Sequence, residues 1–292
     1  LYSSAAMLAL THRQAATPTT FGKEMAVFHR RLNKQADMLK KQRLEGKISG
    51  ATGNWAAHTV TYPKIDWIRF SGRLVKRFGL EPNPVTTQIE PHDSLAESYH
   101  IIARINSILI DFTQDMWLYI SRTILGQKKI SGETGSSTMP HKINPIYFEN
   151  AEGNCGLANA ILNHLASKLT VSRMQRDLSG STVVRNQGVA LGHSFVGLNN
   201  LMKGVDRITI NQENMSVELD KHWEVLVEAI QTIMRKNGIQ GAYNKMKNLT
   251  RGNYLDRTTI HKLISDLNIT TCLLYTSPSP RDLSTSRMPS SA

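Results

Sequence analysis

The sequence predicts an all-α fold built as a bundle of long helices. Three observations support this. Apolar residues recur at helical spacing along nearly the whole chain. One stretch free of Gly and Pro is long enough for a helix of about 28 residues. The densest turn signals fall between the periodic segments.

That longest stretch runs from Ser98 to Leu125, with Ile101, Ile105, Ile108, Phe112, Met116, Tyr119 and Ile120 at spacings of three and four. At a rise of about 1.5 Å per residue it extends roughly 40 Å, and a helix that long needs neighbours of similar length to bury its stripe. Met25, Phe28, Leu32 and Leu39 predict an earlier helix over 21–44. Leu157, Ala160, Ile161 and Leu165 predict one over 149–169. Residues 183–205 read as a fourth, although Gly188, Gly192 and Gly197 lower its helix propensity. Those glycines either allow a close helix approach or merely accommodate packing. Between the 21–44 helix and Ser98 the pattern is less regular, with turn-rich Gly50-Ala51-Thr52-Gly53-Asn54 and Glu81-Pro82-Asn83-Pro84. Shorter helices follow over 211–219, 223–235, 242–249 and 256–267. This gives a central helical-bundle domain over 1–206 with a truncated start, and a partial C-terminal helical domain over 207–270. Over 271–292 the composition jumps to Ser, Pro and Arg, which reads as a disordered or artefactual tail.

Of the 292 residues, 40% are hydrophobic and 20% charged, as expected of a globular chain with a sizeable core. No run of about 18 apolar residues suggests a membrane span. Leu1-Tyr2-Ser3-Ser4 lacks an initiator Met and a basic n-region, so it does not read as a signal peptide, and the chain is expected to begin inside a longer protein. Cys155 and Cys272 are the only cysteines, which gives no disulfide framework and suits a reducing cytoplasm. The net charge of +12 has two readings: attraction for anions, or a solvated basic surface. His29-Arg30-Arg31 and Lys40-Lys41-Gln42-Arg43 lie in a predicted helix without interleaved aromatics, which favours the solvated face over a nucleic-acid site.

Four polar clusters could carry chemistry. Thr11-His12-Arg13-Gln14 precedes a helix, where a lone His is commonly a cap. Thr86-Thr87-Gln88-Ile89-Glu90-Pro91-His92-Asp93 stands at a helix entrance. Its Glu90 and His92 could ligate a metal, but further ligands at clear spacing are lacking and a helix cap fits better. Gly135-Ser136-Ser137-Thr138-Met139-Pro140-His141-Lys142-Ile143-Asn144-Pro145 packs hydroxyls, an imidazole, an ammonium and an amide around two prolines, and Glu149 follows it. That composition suits neither a helix interior nor a strand. In the fourth cluster, Arg176, Ser181 and Arg185 supply two guanidiniums and a hydroxyl, the chemistry of a phosphate clamp or simply of a polar helix start.

The third cluster resembles the S-S-x-M-P-x-K-x-N signature of the fumarase/aspartase superfamily, and Thr11-His12-x-Gln14-x-Ala16-x-Pro18 resembles its T-H-x-Q-x-A-x-P segment. Thr86 to Asp93, Asn144-Pro145-Ile146-Tyr147-Phe148-Glu149-Asn150 and Gln175-Arg176-Asp177-Leu178 look like the bacterial adenylosuccinate lyase family. The resemblance covers residues 5 to 269. It implies an all-α helical bundle and a β-elimination in purine nucleotide biosynthesis: fumarate leaves adenylosuccinate to give AMP, and leaves a succinyl-carboxamide ribotide likewise. It implies that His12 is the acid and Ser136 the base, with Glu149 orienting His12 as a carboxylate does behind a catalytic imidazole. Sequence does not separate Ser136 from Ser137, though motif order puts Ser136 first. A serine base needs a preorganised site, which loop amides and a nearby cation could supply. The resemblance assigns Lys142 and Asn144 to the succinyl carboxylate, Thr11, Gln88 and Ser137 to substrate contact, and Arg176, Ser181 and Arg185 to the nucleotide end. His141 is then a loop contact. Neither cofactor nor metal is implied, and the partners are a small nucleotide substrate and other copies in a homotetramer with shared sites, with no nucleic acid and no membrane.

The chain departs from the pattern at Arg13, where Gly is common; a cation held close would lower the His12 pKa. Ala15 stands where Pro is common, and Gly180 where an acidic residue is common. The family's N-terminal Thr/Ser-Ser-x-Asp motif and its second substrate-contacting His have no match. The family's C-terminal helices are cut short near Thr270. The chain alone is therefore expected to show little activity. Other superfamily lyases, acting on argininosuccinate, fumarate or aspartate, and a catalytically silent structural homologue are the alternative readings.

Overall fold

The computed structural model describes residues 2–129, 139, 141–251 and 255–266. In chain order the elements are β1 (Ala6–Thr11), β2 (Gln14–Thr20), α1 (Phe21–Lys41), β3 (Glu45–Gly46), α2 (Ala56–Thr61), α3 (Trp67–Arg77), β4 (Glu81–Pro82) and α4 (Asp93–Ser121). They continue with β5 (Leu125–Gln127), α5 (Ile146–Leu169), α6 (Ser179–Val184), α7 (Gln187–Arg207), β6 (Ile208–Ile210), α8 (Gln212–Asp220), a 3-10 turn (Trp223–Leu226), α9 (Val227–Lys236), α10 (Ala242–Thr250) and α11 (Arg257–Asp266). The fold is helical with a few short strands, as the periodicity predicts. No described helix is long and apolar enough to cross a membrane. The chain divides into two compact units, each discontinuous in sequence. One takes its described residues from 2–27, 119–126 and 209–266, the other from 28–118 and 127–208.

The first unit contains a hairpin that the sequence reading missed. β1 and β2 pair antiparallel from Ala6 opposite Thr20 to Thr11 opposite Gln14, with an irregularity at Ala9/Leu10 that leaves Ala16 as the extra residue. His12 and Arg13 form the connecting turn, with φ of 52° and 61°. A two-residue turn with positive φ at both positions matches the right-handed twist of the strands it joins. Thr11 to Gln14 thus form a hairpin tip rather than a helix cap. The residues Ala6-Met7-Leu8-Ala9-Leu10 are good helix formers, and what makes them a strand is burial. Met7 and Leu8 are almost fully enclosed, and Leu8 packs with Leu219 and Val225. Arg122 fastens the same strand, its Nη2 donating to Leu8 O at 3.3 Å while Nε and Nη2 grip the Glu218 carboxylate at 3.0 and 2.6 Å. Trp223, Leu226, Ile230, Met234, Met246 and Ile260 form a second core among the shorter helices.

The second unit is the bundle. α4 begins at Asp93, earlier than expected, and ends at Ser121, because Leu125 belongs to β5 and not to the helix. α5 starts directly after Pro145, whose carbonyl accepts from Phe148 N and Glu149 N at 3.0 and 3.2 Å. The helix expected over 183–205 is two: α6 stops at Val184 and α7 starts at Gln187, across a break that carries neither Gly nor Pro. α5 and α7 run antiparallel, since Gly204 of α7 lies against Phe148 near the start of α5 while Gly197 lies against Cys155, further along it. A Cβ on Gly197 would sit 2.7 Å from Cys155 Sγ and 3.3 Å from Ala151 O, so this glycine permits the close approach. Gly188 and Gly192 have open space where a Cβ would be and serve no such role. Leu162, Leu165 and Ala166 of α5 pack with Tyr99 and Ala103 of α4 and Ala190 of α7. Polar bonds fix the register across the bundle: Asn106 Nδ2 to Ser194 Oγ at 2.8 Å, Tyr99 OH to Gln187 Oε1 at 2.8 Å, and His193 Nδ1 with Asn154 Oδ1 at 2.8 Å.

Candidate active site

The bundle unit brings together the residues read as the nucleotide end. Arg176 Nη1 donates to Gln88 Oε1 at 3.3 Å, and Gln88 N donates to Gln175 O at 3.2 Å. Between α5 and α6 lies a cavity of about 220 Å³, walled by His92, Ser172, Arg176, Asp177 and Ser181 with apolar residues such as Leu169. Complete ligand pockets usually span roughly 300–1,000 Å³, so this one suits part of a nucleotide rather than the whole. Arg185 follows α6, is exposed, and is absent from the cavity walls.

A tight turn supports Arg176. The Asp177 carboxylate accepts from Arg173 N at 3.0 Å, Arg173 Nη1 at 3.1 Å, Ser179 N at 2.8 Å and Ser179 Oγ at 2.5 Å. Its own N donates to Ser172 Oγ at 3.2 Å. The Ser179 hydroxyl and N–H, with the Arg173 N–H, hold the Asp177 carboxyl well below the usual carboxylate range. The opposite wall is the entrance to α4. There His92 has φ 69° and its N–H donates to the Glu90 carboxylate at 2.7 Å. Burial raises the Glu90 carboxyl above its ordinary value, against the pull of that bond and one from Asn83.

Glu149 stands in the first turn of α5, exposed, and accepts from Trp117 Nε1 at 3.2 Å. Lys142 is exposed in the turn closed by its N–H to Met139 O at 3.0 Å, and its ammonium has no partner among the described residues. The Asn144 Oδ1 is buried without a hydrogen-bond partner among the described residues. Ser136 and Ser137 lie outside the described residues. Thr11 and His12 belong to the other unit, exposed at the hairpin tip. Trp117 bonds Glu149, Asp177 braces the turn that carries Arg176, and Lys47 Nζ donates to Gln88 O at 2.7 Å; none was given a role from sequence, and only Asp177 was visible, inside the quoted Gln175 to Leu178 segment.

Comparison with known proteins decides the family. A sequence profile described as Lyase matches residues 2–159, more than half of the chain. The chain belongs to this lyase family. A second profile, described as Adenylosuccinate lyase C-terminal, matches residues 172–273 of the lyase chain. The relative named adenylosuccinate lyase from Buchnera aphidicola subsp. Acyrthosiphon pisum is 50% identical over 268 residues, 92% of this chain and 59% of the relative. The one from Escherichia coli (strain K12) is 51% identical over 266 residues, 91% of this chain and 58% of the relative. This chain thus spans about three-fifths of the length of these curated relatives. Among solved structures, the 3-carboxy-cis,cis-muconate lactonizing enzyme from Pseudomonas putida matches with a TM-score of 0.75 at 19% identity, over 97% of this chain and 65% of that one. A fumarate lyase from Mesorhizobium sp. BNC1 matches at 0.64 and 16%, over 84% of this chain and 55% of that one. At such identities the likeness is one of fold. Within this lyase-family chain the first profile takes in His12, Gln88 and Glu149, and the second takes in the Arg176 to Arg185 segment.

Proposed function

We propose that the chain is the catalytic bundle portion of an adenylosuccinate lyase. It would release fumarate from adenylosuccinate to leave AMP, and release fumarate from the succinyl-carboxamide ribotide by the same chemistry. The observation that carries this reading is Arg176 and Ser181 in the cavity wall, with Gln88 bonded to Arg176. A guanidinium and a hydroxyl on one wall suit a phosphate-bearing substrate, and a small dicarboxylate alone would not need them. The 50% identity to relatives of that name supports the same substrate.

In this reading Ser136 removes a proton from the succinyl carbon beside a carboxylate. The freed electron pair forms the fumarate double bond as the carbon–nitrogen bond breaks. His12 gives its proton to the departing amine, with Glu149 as its orienting carboxylate. Lys142 and Asn144 hold the carboxylate on which negative charge gathers, where fixed donors act most strongly. Thr11 and Ser137 contact substrate. Arg185 joins the clamp only if its side chain swings toward the cavity on binding.

The site is proposed to be shared in a homotetramer, in the cytoplasm. Leu191, Phe195, Leu198, Met202 and Val205 recur at spacings of four and three along α7 and are all exposed, Phe195 to 66%. Such a seam is the kind that helices of neighbouring copies bury. The chain alone is accordingly proposed to be nearly inactive.

Fumarate release, read by ultraviolet absorbance, tests both statements. One sample is the chain itself. The other is a chimera in which residues 5–266 replace the matching segment of the Escherichia coli relative. Turnover of adenylosuccinate is expected from the chimera and very little from the chain. A folded chimera that prefers argininosuccinate or aspartate, or that turns over none of these, refutes the assignment.

A further inference from the structure

The Gly50 to Asn54 turn and the lysine before it are not used by the proposed chemistry. They nonetheless grip a residue that is. Lys47 Nζ donates to Gln88 O at 2.7 Å, Thr87 O at 3.0 Å and Gly50 O at 3.2 Å. An ammonium has three donors, and all are taken by backbone carbonyls. The group therefore has no proton to spare for a substrate. What it does is tie two segments far apart in sequence.

The same junction is tightened from the turn side. Gly53 has φ +84°, and a Cβ there would lie 1.9 Å from Thr86 O and 2.7 Å from Thr87 O, so only glycine lets the turn come this close. Ser49, buried, shares a hydroxyl bond with Thr86 Oγ1 at 3.2 Å. On its far side Gln88 is tied to the clamp loop, through its N–H to Gln175 O and its Oε1 to Arg176. The carboxamide of Gln88 thus has its backbone fixed on one side by Lys47 and on the other by the segment that carries Arg176.

We propose that Lys47 is a positioning residue for the nucleotide end of the site: its ammonium pins the Thr87–Gln88 backbone against the Gly50–Gly53 turn and thereby sets the Gln88 carboxamide beside Arg176. This rests on the reading of Gln88 and Arg176 as nucleotide contacts. Arginine cannot replace it, because a planar guanidinium does not present three donors to three carbonyls around one atom.

A double-mutant cycle on the whole chain tests the proposal, with AMP binding measured by titration calorimetry. The proteins are the unaltered chain, Lys47→Met, Gln88→Ala and the double variant. Lys47→Met and Gln88→Ala are each expected to weaken AMP binding by about tenfold, and the double variant by little more than either. Lys47→Arg should remain near Lys47→Met. A lysine that merely stabilises the fold would give losses that multiply, and that result overturns the proposal, as does unchanged binding by Lys47→Met. If circular dichroism shows that Lys47→Met does not fold, Ser49→Ala replaces it in the same cycle, with the same criteria. Where the chain alone does not bind AMP, the same cycle is run in the chimera; failure of the folded chimera to bind AMP overturns the nucleotide reading together with this inference, and binding with multiplying losses overturns this inference alone.

Discussion

Replacing Gly197 with alanine tests the packing on which Glu149 is carried. The new Cβ would stand 2.7 Å from Cys155 Sγ, 3.3 Å from Ala151 O and 3.5 Å from Asn154 Cβ. Cys155 is fully buried, and Ala151 O is backbone of α5, so neither neighbour can turn away into solvent. Overpacking of this kind costs roughly 1–3 kcal/mol. Alanine recovers about 1 kcal/mol of that through its better helix propensity. The net expectation is a loss of about 1 kcal/mol. The same substitution at Gly192, five residues earlier on the same helix, meets nothing within 4 Å and should give a gain of about 0.5–1 kcal/mol. The two variants thus move stability in opposite directions although they share residue type, helix and substitution. Urea unfolding followed by helical circular dichroism measures both against the unaltered chain. Adding Cys155→Ala to Gly197→Ala removes the nearest obstructing atom and should make the second substitution cheaper than in the parent. If Gly197→Ala is as stable as the parent, or if Gly192→Ala loses as much as it does, the close α5–α7 approach is not what the bundle depends on.

Three other expectations are simpler to check. Arg13→Gly should stabilise the chain by up to about 1 kcal/mol, since φ 61° strains any residue with a Cβ and the glycine repays part of the gain in unfolded-state freedom; a lower melting temperature for this variant refutes the strain. Asp177→Asn should lower the melting temperature at neutral pH. Because the folded Asp177 carboxyl titrates below its unfolded value of about 4, the stabilisation is present above that value and fades as pH falls through the folded one, so the difference between parent and variant should shrink in acid. A difference that is constant with pH contradicts this. Burial pushes the Cys155 thiol up to about 11, so iodoacetamide should leave it unmodified in the native chain and alkylate it in urea, as read by peptide mass spectrometry.

The helical architecture was legible because its signal is long and local. Ile101, Ile108 and Met116 repeat over many turns, and all three are buried on α4 as the period requires. The hairpin was not legible, because Ala6 to Leu10 carry no strand preference and His12-Arg13 is not an Asn-Gly type of turn. Its identity as a strand comes from Leu219 and Val225, far away in sequence. The break between α6 and α7 is equally silent, since Arg185 and Asn186 would continue a helix. Among the candidate site residues read from their functional groups, Arg176 and Ser181 share a cavity wall, Gln88 is bonded to Arg176, and Glu149 is bonded to Trp117. Their supports escaped notice for a physical reason. Lys47 and Asp177 act largely on backbone carbonyls and N–H groups, which every residue owns, so no residue type at a fixed spacing marks them.

The structure also separates the two readings of the positive charge and gives the departures from the family pattern different meanings. His29, Arg30, Lys40 and Lys41 lie exposed on α1, and Arg31 there is paired with Asp111, so that part of the charge is a solvated face. Arg176 is different: it stands in a cavity wall with its guanidinium bonded to a carboxamide, not to a carboxylate, which leaves its charge available to an anion. Gly180 bears on the same cavity. A Cβ there would meet only Leu169 Cδ2, at an ordinary 3.6 Å, so packing does not exclude an acidic side chain. Its absence acts through charge: Asp177 already stands in this cavity wall, and an acidic residue at position 180 would add a second carboxylate and make the cavity less favourable to an anion. Arg13 acts through conformation, by placing a Cβ where the turn prefers none. On the proposed reading one departure spares the cavity a second carboxylate while the other costs stability at the hairpin tip, and Gly180→Asp combined with AMP titration distinguishes them, since only that substitution should weaken binding without lowering the melting temperature.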